Sequence, residues 1–536
     1  MRDLCKKLLE RFKPCLGAIR SNCAAHPARL AVFWLVMLAG LFARVYMFGD
    51  VPGDINQDEA FAGYNAFTLM QHARDSFGYR MPVYLTAWGS GMNALESYLM
   101  IPFIAIFGLK VWAIRLPMLI VGILSLVAIY KIVLRFSGKK FALIAMFLVA
   151  ISPWHIMLSR WALESNLAPG FVLFGLFFFI KGLDNPKFLP VSALCYGLSL
   201  YAYATIWAVV PFIVVAGTLY AIWTRSLRAT RYAWIALAVL VALACPLVLF
   251  LLVNKGVIAE IKLPFLSIPK MVFFRDSEIS FAQIPENAAN LWNILKSQSD
   301  GLPWNSIRRH GIFYDGTIAF FFVGLGVFIW KAVQDFRQRK AGIAVFMLVW
   351  LLAGLAIGLL IHVNINRVNL LFLPMIVIAA YGFIYAFSFI HPKTICIAVA
   401  AYTLMFASFE REYFTSYRES IGEIFCEGIE DAMHFAQSKM GENTRMVVDP
   451  NTSYPRILFF GKVDLDAYLS TVSYTNFPSA FLYVNSFDRY VFKGNIPRGL
   501  DKAVYLFENN YDRTNALQDA GFQIRNFGKY VVGYRE

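Results

Sequence analysis

Asp58 and Glu59 stand side by side in D-I-N-Q-D-E-A-F-A-G-Y-N-A, the first polar stretch after the first long apolar run. A carboxylate pair beside a bilayer is costly to desolvate and needs a reason. One reason is chemical: a base that takes a proton from a hydroxyl at the membrane surface. The structural alternative is that Asp58 caps a helix beginning near Glu59, where acidic side chains satisfy free N–H groups. Two further groupings carry chemistry-capable side chains. S-P-W-H-I-M-L-S-R-W-A-L-E-S-N holds His155, Arg160, Glu164 and Asn166, and H-V-N-I-N-R-V-N holds His362, Asn364, Asn366, Arg367 and Asn369. Arg308, Arg309 and His310 lie in a long loop between them, and Glu96 sits in a short apolar run.

Each grouping also has a structural reading. Arg160 and Glu164 are four apart and pair on a helix face. Arg367 snorkels to headgroups, and Asn364 and Asn366 cap helix ends. Taken together, carboxylates and several arginines along one membrane face form a site for an anionic, lipid-linked substrate, because the arginine fork matches phosphate oxygens.

The elements that position these residues are membrane helices. The 536 residues are 59% hydrophobic and 15% charged, with mean hydropathy +0.57; soluble domains carry about 25% charged residues. Apolar runs predict 11 spans, near residues 30–48, 113–134, 141–157, 167–183, 188–203, 205–223, 232–253, 317–332, 343–361, 370–389 and 393–408. The run 94–107 is short and holds Glu96 and Pro102, so it is expected to lie at the surface or re-enter. The net charge of +15 falls in short loops between the runs. That pattern follows the positive-inside rule, points to anionic lipids and speaks against nucleic acid. It predicts a multi-pass protein of the plasma (cytoplasmic) membrane. Residues 1–29 would form a cytoplasmic basic N-terminus and 30–408 a transmembrane domain with outer loops 49–112 and 254–316. Short strand-like runs after residue 409 predict an extracytoplasmic α/β domain over 409–536. Seven cysteines show neither a disulfide framework nor a zinc spacing.

The chain resembles bacterial protein O-mannosyltransferases, GT-C glycosyltransferases of the GT39 type, and more distantly the aminoarabinose transferases of lipid A. The resemblance rests on the D-E pair, F-G-L-K-V-W-A-I-R-L-P, the S-P-W-H…E-S-N-L segment, G-L-S-L-Y-A-Y-A-T, and N-R-V-N-L-L-F-L-P followed by A-A-Y-G. It implies a GT-C helical bundle that transfers a sugar from a polyprenyl-phosphate donor to an extracytoplasmic glycan, lipid or protein, with inversion. Asp58 would be the general base, and Glu59 would orient the site or bind sugar. Arg160, Arg367, Arg308 and Arg309 would hold the lipid phosphate; Glu164, Asn166, His155, Asn366 and Glu96 would contact substrate. No cofactor is required, although Asp58, Glu59 and another outer acid offer oxygen ligands for a divalent cation. Where the family has an H-P-P-L-G-K-like stretch, this chain reads A-W-G-S-G-M-N-A-L-E-S-Y-L. Readings from other classes are a lipid or polysaccharide transporter and a non-catalytic accessory subunit.

Overall fold

The structure, a computed structural model, describes residues 27–274, 279–390, 393–496 and 502–535. The basic segment 1–26, with Cys5, Cys15 and Cys23, lies outside the described residues. The fold is a helical bundle with a C-terminal sheet domain.

Eight helices among the described residues are long and apolar enough to cross a membrane, against the 11 segments expected. The difference has three causes. The expected spans 113–134 and 141–157 are two helices that meet at the non-helical Gly138 (φ 81°, ψ 177°), and the continuous stretch Val111–Ile151 counts once among the eight. Such a positive φ suits glycine. The expected span 188–203 yields only the 11-residue helix Leu189–Ser199, because the chain leaves the helix before Tyr201 and re-forms one at Ile206. The first apolar helix is short over Leu30–Val45. The run around Glu96 forms a 13-residue helix, Leu95–Phe107, too short to span.

Chain direction sorts the connections to two ends. At one end the basic loops meet: Arg135 pairs with Asp184 at 2.6 Å, the Tyr220 hydroxyl donates to the Lys340 carbonyl, and Arg339 lies over the Trp223 ring. At the other end the Asp58 segment, the 152–166 segment, the long loop and the 362–369 turn converge. There Ala162 N–H donates to Glu59, Trp154 N–H to the Ile312 carbonyl, Ile365 N–H to Asp300, and the Asn369 amide to the Ser165 carbonyl.

The C-terminal region builds a seven-stranded mixed sheet. Strand Arg445–Val448 is parallel to both its neighbours, Ala503–Glu508 and Tyr490–Phe492. Antiparallel strands complete each side, Tyr530–Tyr534 and Gln523–Phe527 on one and Val484–Phe487 and Ser473–Tyr474 on the other. Of the expected run A-F-L-Y-V only Val484 is in a strand. The domain is fastened to the Asp58 segment. Ile55 N–H donates to the Phe425 carbonyl, Arg456 Nε to the Ile55 carbonyl, and Gly428 and Ile429 N–H to Asp54 Oδ2. Gly63 permits a close approach, since a Cβ there would stand 2.7 Å from the Phe459 ring. A shared buried core runs through both parts.

Candidate active site

The helix Gln57–His72 starts with a capping box. Asn56 is the N-cap: its side-chain oxygen accepts from Asp58 N–H at 2.9 Å, and Glu59 Oε2 accepts from Asn56 N–H at 3.0 Å. Asp58 therefore does not cap this helix, and the structural alternative for its carboxylate falls to Asn56. N-Q-D-E was visible in the sequence as a capping signature. Asp58 is half-buried, and its Oδ1 accepts from the Trp88 indole N–H at 3.2 Å. Trp88 holds φ at 62°, uncommon for a bulky residue. The loop around it is pinned from both sides. Buried Asp75 accepts from the amides of Phe77, Tyr79 and Thr86, and Leu482 N–H of the C-terminal domain donates to the Trp88 carbonyl at 2.9 Å. Burial pushes the Asp75 carboxyl up to about 6 against those amide bonds.

Glu59 has a different task. It forms an ion pair with Arg115, Oε1 to Nε at 2.8 Å and Oε2 to Nη2 at 2.9 Å, with both side chains fully buried. Its Oε1 also accepts from Ala162 N–H at 2.6 Å. Arg115 spends its remaining donors on the Gly49, Pro52 and Asp54 carbonyls. Both Glu59 oxygens are thus committed to N–H donors, and the residue is not placed to bind sugar or to share a divalent cation with Asp58. Arg115 lies in the quoted K-V-W-A-I-R-L-P run, but sequence reasoning gave it no role.

Glu96 and Glu164 complete an acidic group around Asp58. Glu164 Oε2 accepts from both Asn93 N–H and its side-chain amide, at 2.5 and 3.0 Å. Glu96 is 1% exposed, and neither carboxyl oxygen has a hydrogen-bond partner among the described residues. Burial first, then the charges of Glu164, Glu59 and Asp58, raise its carboxyl well above the ordinary 4.5. Between the ordinary glutamate range and this raised value, the folded chain holds a proton at Glu96 that the unfolded chain has released. Stability from this group is complete below the ordinary glutamate range and is lost as pH rises towards the folded value. Glu96→Gln, which mimics the neutral acid, is expected to keep the fold and to flatten the fall in melting temperature as pH rises above the ordinary glutamate range. A fall as steep as that of the wild type would remove Glu96 as its source.

One of the four arginines expected to hold phosphate does something else. Arg160 is fully buried, and its guanidinium donates to the Val51, Ala43, Tyr46 and Met47 carbonyls at 2.8 to 3.2 Å. It holds together the chain entering the Asp58 segment and does not face a lipid phosphate. His155, expected to contact substrate, is buried with its Nδ1 2.7 Å from an Arg44 guanidinium nitrogen. Asn166 is buried also, its amide donating to the Trp161 carbonyl at 3.4 Å. Asn366 and Arg367 are half-buried in a turn closed by Arg367 N–H donating to Asn364. Arg308 and Arg309 are exposed, and Arg308 lines a cavity of about 550 Å³ with Glu412, Ser416 and Tyr417. The structure thus brings Asp58, Glu59, Glu96 and Glu164 together and sets Arg160 and His155 into the packed layer beneath. Arg308 lies apart from them at its own cavity, with Arg309 exposed beside it in the chain.

The family model for dolichyl-phosphate-mannose-protein mannosyltransferases matches residues 95–250. No curated protein matches the chain by sequence. Among solved structures, ArnT from Cupriavidus metallidurans in the apo state superposes with TM-score 0.51 at 12% identity, covering 95% of this chain and 98% of that one. The same enzyme bound to undecaprenyl phosphate gives TM-score 0.52 at 11% identity over the same shares. The chain thus has the GT-C fold of ArnT, and its residues 95–250 resemble the dolichyl-phosphate-mannose-protein mannosyltransferases.

Proposed function

We propose that the chain is a glycosyltransferase that moves one sugar from a polyprenyl-phosphate carrier to a hydroxyl acceptor at the end of the bundle bearing Asp58. The observation that carries this reading is the division of labour in the acidic pair. Asn56 supplies the helix cap and Glu59 the partner of Arg115, while the half-buried Asp58 carboxylate accepts from the Trp88 indole. The GT-C fold and the undecaprenyl phosphate bound to the structurally similar ArnT support a lipid-linked donor.

Asp58 takes the proton from the acceptor hydroxyl as that oxygen bonds to the anomeric carbon. The carbon–oxygen bond to the phosphate breaks, its electron pair leaves with the polyprenyl phosphate, and configuration inverts. A hydroxyl is a weak nucleophile and needs a positioned base. The leaving phosphate gains charge and needs cations. Arg308 and Arg309, both exposed, and Arg367 in the 362–369 turn are the candidates for that task. The basic loops at the opposite end support, through the positive-inside rule, an Asp58 end and C-terminal domain outside the cytoplasm. Acceptor chemistry stays open among glycan, lipid and protein.

The test is transfer in membranes containing the full chain, with sugars radiolabelled on undecaprenyl phosphate or on nucleotides. Label should leave only the lipid-linked donor and appear in a product of inverted anomeric configuration. Transfer directly from the nucleotide sugar, or retention of configuration, would overturn the reading.

A further inference from the structure

A second cavity lies at the end of the bundle opposite Asp58. It measures about 600 Å³ and is walled by the helices Glu164–Asp184, Leu189–Ser199, Ile206–Trp223, Arg231–Asn254 and Ile343–Leu360. That volume is in the range of cavities that hold a small organic ligand, about 300–1,000 Å³. Its walls are hydrocarbon and aromatic, with Leu176, Tyr196, Ile213, Leu240 and Phe346 among them. Of its polar members, Ser192 already donates to the Gly175 carbonyl. Arg228 is its one cationic lining residue.

Arg228 sits in the connection Thr224–Arg231, which also carries Arg225 and Arg231 and no acidic residue. Lys187 from the neighbouring connection lies close enough to act electrostatically on the Tyr232 hydroxyl, to which Arg231 donates. A hydrocarbon pocket inside a membrane bundle with a cationic rim has the complementary chemistry of one ligand class. We infer that it holds an acyl chain of an anionic phospholipid from the leaflet at the basic end, with the lipid phosphate on Arg228.

The carrier lipid of the proposed reaction is a poorer occupant. The 18-residue helix Ile206–Trp223 separates the two ends by about 27 Å at 1.5 Å per residue. A phosphate on Arg228 would be that far from the Asp58 level. The helix Arg231–Asn254 is the outer wall, with only 11% of its apolar window buried in protein. A chain seated behind it therefore supplies packing that the protein itself does not, and fixes that helix to the bundle.

The test is native mass spectrometry of the full chain in detergent with equal amounts of dioleoyl phosphatidylglycerol and dioleoyl phosphatidylcholine. Phosphatidylglycerol should be retained in preference. Arg228→Ala should weaken its retention about fivefold, the worth of one basic residue at an anionic surface. Gly217→Leu fills the cavity, since a Cβ there meets nothing nearer than the Phe346 ring at 3.9 Å. It should remove one bound phosphatidylglycerol and leave far-UV circular dichroism unchanged. Should Gly217→Leu fail to fold, Arg228→Ala decides alone. Equal retention of the two lipids, or retention unchanged in Arg228→Ala, overturns the inference. So does undecaprenyl phosphate displacing phosphatidylglycerol from the wild type, which would give the cavity to the carrier.

Discussion

Asp58→Asn is expected to lower sugar transfer by about 10²- to 10⁴-fold, the usual worth of a positioned base, and to leave the fold intact. The substitution keeps an oxygen that can accept from the Trp88 indole, and it leaves the cap untouched, because Asn56 supplies it. What the amide cannot do is take a proton from the acceptor. The measurement is single-turnover transfer from a radiolabelled polyprenyl-phosphate sugar, with protein level and melting temperature taken on the same membranes. Asn56→Ala is the converse control. It should cost about 1 kcal/mol of stability, as for a lost N-cap, with a smaller effect on the chemical step. Transfer undiminished in Asp58→Asn would end the case for Asp58 as base. Glu164, beside it but already accepting from Asn93, would then be the next carboxylate to replace.

The parts of this site that were legible in sequence are those with local causes. The acidic pair announces itself because charges are rare beside an apolar run. The N-x-x-E capping box is equally local, and it separates the roles of Asp58 and Glu59 once noticed. The roles of the arginines were not legible. Arg160 has the same fork whether it meets a phosphate or four carbonyls, and the carbonyls come from Ala43 to Val51, more than a hundred positions earlier in the chain. Arg115 is likewise 56 positions from Glu59, and only the folded chain joins them. Hydropathy found the apolar segments because bilayer and core both select them. It ran past Ser199 through Tyr201 and Ala202 because those residues are apolar enough to continue a span that the backbone does not continue. In the C-terminal domain the buried runs Arg445–Val448, Ala503–Glu508 and Tyr530–Tyr534 were visible as strands. The two- and three-residue strands Ser473–Tyr474 and Tyr490–Phe492 are too short to show a pattern.

The largest loss of stability is expected at Arg115. Its guanidinium meets Glu59 and three carbonyls of the segment that leads into the Asp58 helix, with no exposure to solvent. Removing one partner of such a pair leaves an uncompensated buried charge, at a cost of about 3–5 kcal/mol. Arg115→Met should therefore lower the melting temperature sharply in detergent, and Glu59→Ala should do the same from the other side. Arg115→Lys should rescue little, because a single ammonium cannot reach a carboxylate and carbonyls on different sides at once. The double variant Glu59→Met with Arg115→Met removes both charges, so its loss should be smaller than the sum of the two single losses. A wild-type melting temperature in Arg115→Lys would show that the fork geometry is not what holds the segment. The stability effect and the chemical effect are separable at adjacent positions. Glu59 takes part in a buried network that fixes where the helix begins, and that fixed beginning sets the position of its neighbour Asp58 against the Trp88 indole.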